Sequence, residues 1–83
     1  MSDVKVSTAI LSHLSDVQTH LELALNSQNL ITQHVASEEA RQRINFVKML
    51  ILKYPDTSVS VSNDKLDEIQ REVFERFPKK AVS

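Results

Sequence analysis

The first 54 residues contain neither glycine nor proline, and this absence constrains the fold more than any other feature of the sequence. Glycine and proline are the residues that most often interrupt helices, so a run of this length favours long helices. The two prolines, Pro55 and Pro78, follow later in the chain. With 83 residues in total, the chain has room for one small domain spanning residues 1–83. We therefore expect a single all-α domain.

Regularly spaced apolar residues predict a first helix over residues 7–26, with Ser7 as its N-cap. The spacing alternates between four and three residues, which is typical of a helix that packs lengthwise on another. The members of this seam are Ile10, Leu14, Val17, Leu21 and Ala24.

A turn is expected at Asn26–Asn29, because asparagine tolerates the left-handed conformation that often ends a helix. Ile31 and Val35 continue the apolar phase of the first helix, however. A single rod reaching about residue 36 is therefore the alternative to a hairpin.

The same spacing predicts a second helix over residues 37–54, introduced by Ser37 and ended by Pro55. An earlier start at Leu30 also fits, because Leu30 is in phase with Ala40. The seam of this helix consists of Ala40, Ile44, Val47, Ile51 and Tyr54.

A third helix is predicted over residues 63–77, after three capping residues that begin at Ser62 and before Pro78. Residues 79–83 are expected to fray. Alternating polar residues and valines in residues 3–7 and 57–62 allow a short two-stranded ribbon. The alternative is a loop whose valines pack inward. The expected architecture is a helical hairpin with the third helix across it.

Composition removes several classes of function. The chain has no cysteine for a disulfide or a thiolate-bound zinc, and no glycine for a phosphate-binding loop. Its longest apolar stretch, Ile44–Leu52, is far shorter than the roughly 20 residues of a membrane-spanning helix. We expect a cytoplasmic protein with no membrane segment, cofactor, metal or small-molecule substrate.

Catalytic and metal-binding patterns are weak. His13, Asp16 and His20 lie within about 60° on one helix, but three such residues without a fourth ligand are typical of solvated histidines. No serine lies in a glycine-flanked elbow, and so short a chain can hardly enclose a substrate pocket. The prediction is a non-catalytic protein.

The second helix carries apolar residues around more of its circumference than a surface helix usually buries. Met49 and Leu52 lie among polar residues, where helices of the same chain would struggle to cover them. Cover by the Val59–Val61 loop is one alternative, and an external partner is the other. The predicted partner or dimer surface consists of Phe46, Lys48, Met49, Leu50, Leu52 and Lys53.

The functional hypothesis is a small helical adaptor or regulator that binds another protein as a homodimer. A dimeric DNA-binding regulator is the second hypothesis, although a formal net charge of −1 argues against a dedicated nucleic-acid binder. Its candidate contacts are Arg41, Arg43, Lys48 and Lys53.

Overall fold

The computed structural model of the protein describes residues 3–79. In chain order the elements are β1 (Asp3–Lys5), α1 (Val6–Asn26), α2 (Leu30–Lys53), β2 (Ser60–Ser62) and α3 (Asn63–Arg76). The predicted three-helix fold with a short ribbon is confirmed. Of the tail that we expected to fray, all but Lys79 lies outside the described residues.

The hairpin turn between α1 and α2 is built from side-chain hydrogen bonds. Asn29 is the N-cap of α2, and its Oδ1 accepts from the backbone N–H groups of Ile31 and Thr32 at 2.9 and 3.1 Å. The Ser27 hydroxyl accepts from the Asn29 N–H at 3.1 Å. Asn29 has a φ of −91°, and no described residue has a positive φ. The turn itself is confirmed, but it does not use the left-handed asparagine that we expected.

Two predicted N-caps, Ser7 and Ser37, are wrong, because backbone donors find other acceptors. The α2 helix begins at Leu30, which confirms the alternative start, so Ser37 lies seven residues inside it. Helix α1 begins one residue before Ser7 and has no side-chain cap. The N–H groups of Val6 and Ser7 donate instead to the carbonyls of Val59 and Thr57, each at 2.9 Å. At the third helix the expected capping is confirmed, because the Ser62 hydroxyl accepts from the Lys65 N–H.

The core lies at the end of the hairpin away from the turn. Strands β1 and β2 pair antiparallel with Val4 opposite Val61, and α3 packs on α2. The core cluster draws buried residues from the three helices and β2, and the partly buried Val4 of β1 packs against it. Its buried members are Val6, Ala9, Phe46, Met49, Leu50, Val61, Ile69 and Val73.

The protein is elongated, measuring 41 × 23 × 23 Å. Its Cα radius of gyration is 13.9 Å, whereas a compact domain of this length has about 12 Å. The reason is that α2 is 24 residues long and α3 only 14, so α3 ends well before the turn. The turn half of the hairpin therefore projects beyond the core.

Candidate interaction surfaces

The structure corrects half of the predicted interface. Phe46 and Leu50 are fully buried and Met49 is only 7% exposed, all three within the core cluster. Their cover comes from the same chain, because the cluster also contains Ile69 and Val73 of α3 and Val61 of the segment that we considered as the alternative cover. The expectation that Met49 needs a partner from outside the chain is therefore wrong. These three residues cannot contribute an exposed contact surface.

The other three predicted interface residues lie at the surface. Leu52 is 78% exposed on the outer edge of α2, and Lys48 is exposed. Lys53 is exposed as well, but its ammonium pairs with Glu72 of α3 at 3.2 Å. Leu52 is thus an isolated apolar residue there, and single residues of this kind are common on protein surfaces.

The four basic residues proposed for DNA do not form one surface. Arg41 pairs with Glu38 at 2.8 Å and also donates to the Pro78 carbonyl. Arg43 lies between the hairpin helices, where it pairs with Asp16 at 3.2 Å. Because Lys53 pairs with Glu72, three of the four cations already contact groups of this chain in different directions.

Arg43 also contacts His13, whose ring packs against Phe46 with a centroid separation of 4.3 Å. Burial lowers the pKa of His13, and the positive charge of Arg43 lowers it further, while Asp16 acts in the opposite direction.

Within residues 3–79, no group of three potential ligands is arranged to hold a metal ion. No helix in this part of the chain is long and apolar enough to span a membrane.

One uncovered apolar surface is on the side of the hairpin opposite α3. Ile44 and Ile51 lie about 180° around α2 from Phe46 and Met49, the residues beneath α3. On α1, Leu14 and Leu21 are seven residues apart and share a side. Leu23 of α1 lies beside Ile31 and Val35 on the other side of the hairpin. Leu14 and Leu21 lie about 160–180° around α1 from Leu23, so they share one face of the hairpin with Ile44 and Ile51. We call it the open face, and its residues are Leu14, Leu21, Leu25, Ile44 and Ile51.

The open face contains the exposed residues of the two predicted seams. Leu14, Leu21, Ile44 and Ile51 are between 37% and 47% exposed, and Leu25 beside them is 84% exposed. Of the other six seam residues, Val17, Ala40 and Val47 are buried, and Ile10, Ala24 and Tyr54 are partly buried. The heptad spacing is therefore satisfied only in part by the hairpin itself.

A second apolar feature lies near the turn, on the same side of the hairpin as α3. It is a groove of about 260 Å³, which we call the turn groove. Its lining residues are His20, Leu23, Ile31, Thr32, Val35, Ala36 and Glu39. The Lys79 ammonium pairs with Glu39 at the α3 end of this groove, and this contact lowers the pKa of the Glu39 carboxyl.

The seam residues were visible in the sequence, but their exposure was not, because exposure depends on where α3 packs. The turn groove was missed altogether. The sequence signal for it is that Ile31 and Val35 continue the apolar spacing of the first helix. We interpreted this spacing only as a possible extension of α1.

Comparison of the chain with models of known protein families, with curated proteins and with solved structures finds no match.

Proposed function

We propose that the protein is a non-catalytic interaction module that acts by binding other proteins and works as a homodimer. In this proposal two hairpins pack with their open faces together and form a four-helix bundle. The observation that carries the proposal is the half-exposed heptad seam on both α1 and α2. Four-helix bundles bury seams of this spacing between facing helices.

The dimensions of the open face suit such an assembly. Helix α2 has 24 residues and is therefore about 36 Å long, and two neighbouring helices span about 20 Å. The footprint is thus on the order of 700 Å² per copy, close to the roughly 800 Å² that each partner buries in a stable interface. None of the residues that define the open face is charged, and Lys48 lies at the edge of this face. Little charge must therefore be desolvated when two open faces meet.

A two-fold axis would place each seam residue at the interface twice. Completing the burial of a half-exposed leucine is worth about 1 kcal/mol, and a carboxylate at the same position adds a desolvation cost. The variants L21D and I51D should therefore weaken the dimer by more than about tenfold. Both residues are exposed enough in the single chain for the substitutions to leave the helices intact.

The test is the mass in solution, measured by sedimentation equilibrium across a range of concentrations. We expect twice the 9.4 kDa of one chain for the unmodified protein and the mass of one chain for L21D and I51D, with unchanged helical circular dichroism. The matched control is L52D, which changes an exposed leucine on the outer edge of α2 and should remain dimeric.

Two results would contradict the proposal. One is an unmodified protein that has the mass of a single chain at millimolar concentration. The other is dissociation of L52D with L21D unaffected, which would move the interface to the outer edge of α2.

A further inference from the structure

After α3 ends, the chain stays in contact with α2, and its path there points toward the turn. The Gln42 amide donates to the Phe77 carbonyl. Two residues later, the Lys79 ammonium pairs with Glu39, which lies almost one helical turn nearer to the start of α2. The segment that follows α3 therefore approaches the turn groove, because Glu39 is one of the residues that line this groove.

Further contacts hold this segment against α2. Arg41 donates to the Pro78 carbonyl at 3.1 Å, and it pairs with Glu38 at 2.8 Å. The Lys79 ammonium lies 5.9 Å from the centroid of the Phe74 ring, as in a cation–π contact. The acidic groups on this part of α2 are thus already paired with cations of the same chain, and what remains beyond them is mainly apolar.

The side of α2 that Phe77 contacts continues into the turn groove. Val35 and Ile31 lie seven and eleven residues before Gln42, which places them on the same side of the helix. They are about 10 and 16 Å nearer to the turn. Both are more than half exposed, so residues 3–79 leave them largely uncovered.

The sequence provides an apolar segment within reach of these residues. Residues 80–83 follow Lys79 and include the apolar pair Ala81–Val82. An extended chain advances about 3.3 Å per residue, so three residues reach about 10 Å. The distance along α2 from Glu39 to Val35 is only about 6 Å. The apolar pair can therefore contact the exposed apolar residues of the turn groove.

We propose that residues 80–83, which lie outside the described residues, continue along α2 and that Ala81 and Val82 cover the turn groove. The occupant is thus a segment of the same chain. The groove has a volume of about 260 Å³, below the roughly 300–1,000 Å³ of small-molecule sites, and two small apolar side chains suit it. The inference is independent of the proposed dimer, because the open face is on the opposite side of the hairpin.

Paired cysteines test the contact directly, because the chain has no cysteine of its own. In V35C/V82C a disulfide can form only when the two Cβ atoms come within about 4.5 Å. The matched control is S37C/V82C. Ser37 is exposed and only two residues from Val35, but it lies about 160° around α2. Under mild oxidation, we expect an intrachain disulfide to form at least tenfold faster in V35C/V82C, as measured by non-reducing electrophoresis and mass spectrometry.

A second pair of variants tests whether the segment covers apolar surface. V82D removes the apolar cover, whereas S83D adds the same charge at the next residue. We expect the Tm of V82D to fall by about 2–5 °C and the Tm of S83D to change by less than about 1 °C. The fluorescence of a dye that binds exposed apolar surface should increase in V82D alone. The same differences are expected in the L21D background, whatever its mass.

Three results would overturn the inference. Equal rates of disulfide formation in V35C/V82C and S37C/V82C would show that the segment has no preference for the groove. A disulfide that joins two chains would assign the groove to a second copy of the protein. An unchanged Tm and unchanged dye fluorescence in V82D would show that the groove is left open to another partner.

Discussion

His13 connects the two hairpin helices through an arrangement that suits only its neutral form. Its Nδ1 lies 3.1 Å from the Arg43 guanidinium, which has only donors, so Nδ1 must accept the hydrogen bond. Protonation would remove this acceptor and place a second positive charge beside Arg43. Asp16 offsets part of that charge, but burial and Arg43 dominate, and the pKa of His13 is lowered.

This environment makes stability depend on pH. Because the pKa of His13 is lower in the folded protein, the unfolded chain binds more protons as the pH falls below about 6.5. The free energy of unfolding should therefore decrease from pH 7 to pH 5, as measured by urea denaturation. H13F keeps a ring against Phe46 but cannot be protonated, so its decline should be smaller. An identical decline in H13F would assign the effect to other groups.

At lower pH, protonation of two carboxylates should reduce the stability further. Lys79 lowers the pKa of Glu39, and Ser58 lowers that of Asp56. Both carboxylates favour the folded state above their ordinary pKa values, near 4, and this contribution is lost as the pH falls further. H13F should leave the second range unchanged, so the two effects can be separated in one titration.

At the scale of elements, the turn decides whether the first 54 residues form a hairpin or a rod. Three polar residues, Ser27, Asn29 and Gln33, close it without glycine, and the Gln33 amide donates to the Ser27 carbonyl at 2.6 Å. These bonds compete with continuation of the heptad phase through Ile31 and Val35. Helix capping therefore prevails over apolar periodicity at this point.

The cap should be measurable by substitution. N29A removes both acceptor contacts of the Asn29 side chain and should lower the free energy of unfolding by about 1 kcal/mol. For a chain of this size, that corresponds to a fall in Tm of about 4–8 °C. N29D preserves an oxygen that can accept the same hydrogen bonds, and it should cost much less. Equal losses in N29A and N29D would show that the cap is not the stabilising feature.

Local signals were sufficient to predict the three helices and the turn, because periodicity, caps and prolines act within a few residues. They were insufficient for the interaction surfaces. Met49 and Leu52 are one turn apart and looked equivalent in the sequence, yet one is 7% and the other 78% exposed. The difference arises from where α3 packs on α2, and contacts on that side join residues far apart in the sequence, from Lys53 and Glu72 to Gln42 and Phe77. The seam was recognisable, but which part of it remained uncovered was not.

At the scale of the whole molecule, the core occupies one end, and uncovered apolar residues such as Leu25, Ile31 and Val35 lie on the projecting half of the hairpin. A molecule of 9.4 kDa normally exposes about 5,000 Å², whereas this one exposes 5677 Å². The additional area belongs to an elongated shape whose long axis follows the hairpin. The open face and the turn groove lie on opposite sides of it, so a dimer would leave the groove of each copy accessible.

If the open face holds two copies together, stability must depend on protein concentration, because dissociation accompanies unfolding. The Tm of the unmodified protein should rise with concentration, whereas that of L21D should be independent of it. Because the open face is mainly apolar, added salt should leave the dimer intact. Calorimetry at several concentrations and two salt levels measures both effects. A Tm independent of concentration in the unmodified protein would mean that the exposed seam does not hold a second copy.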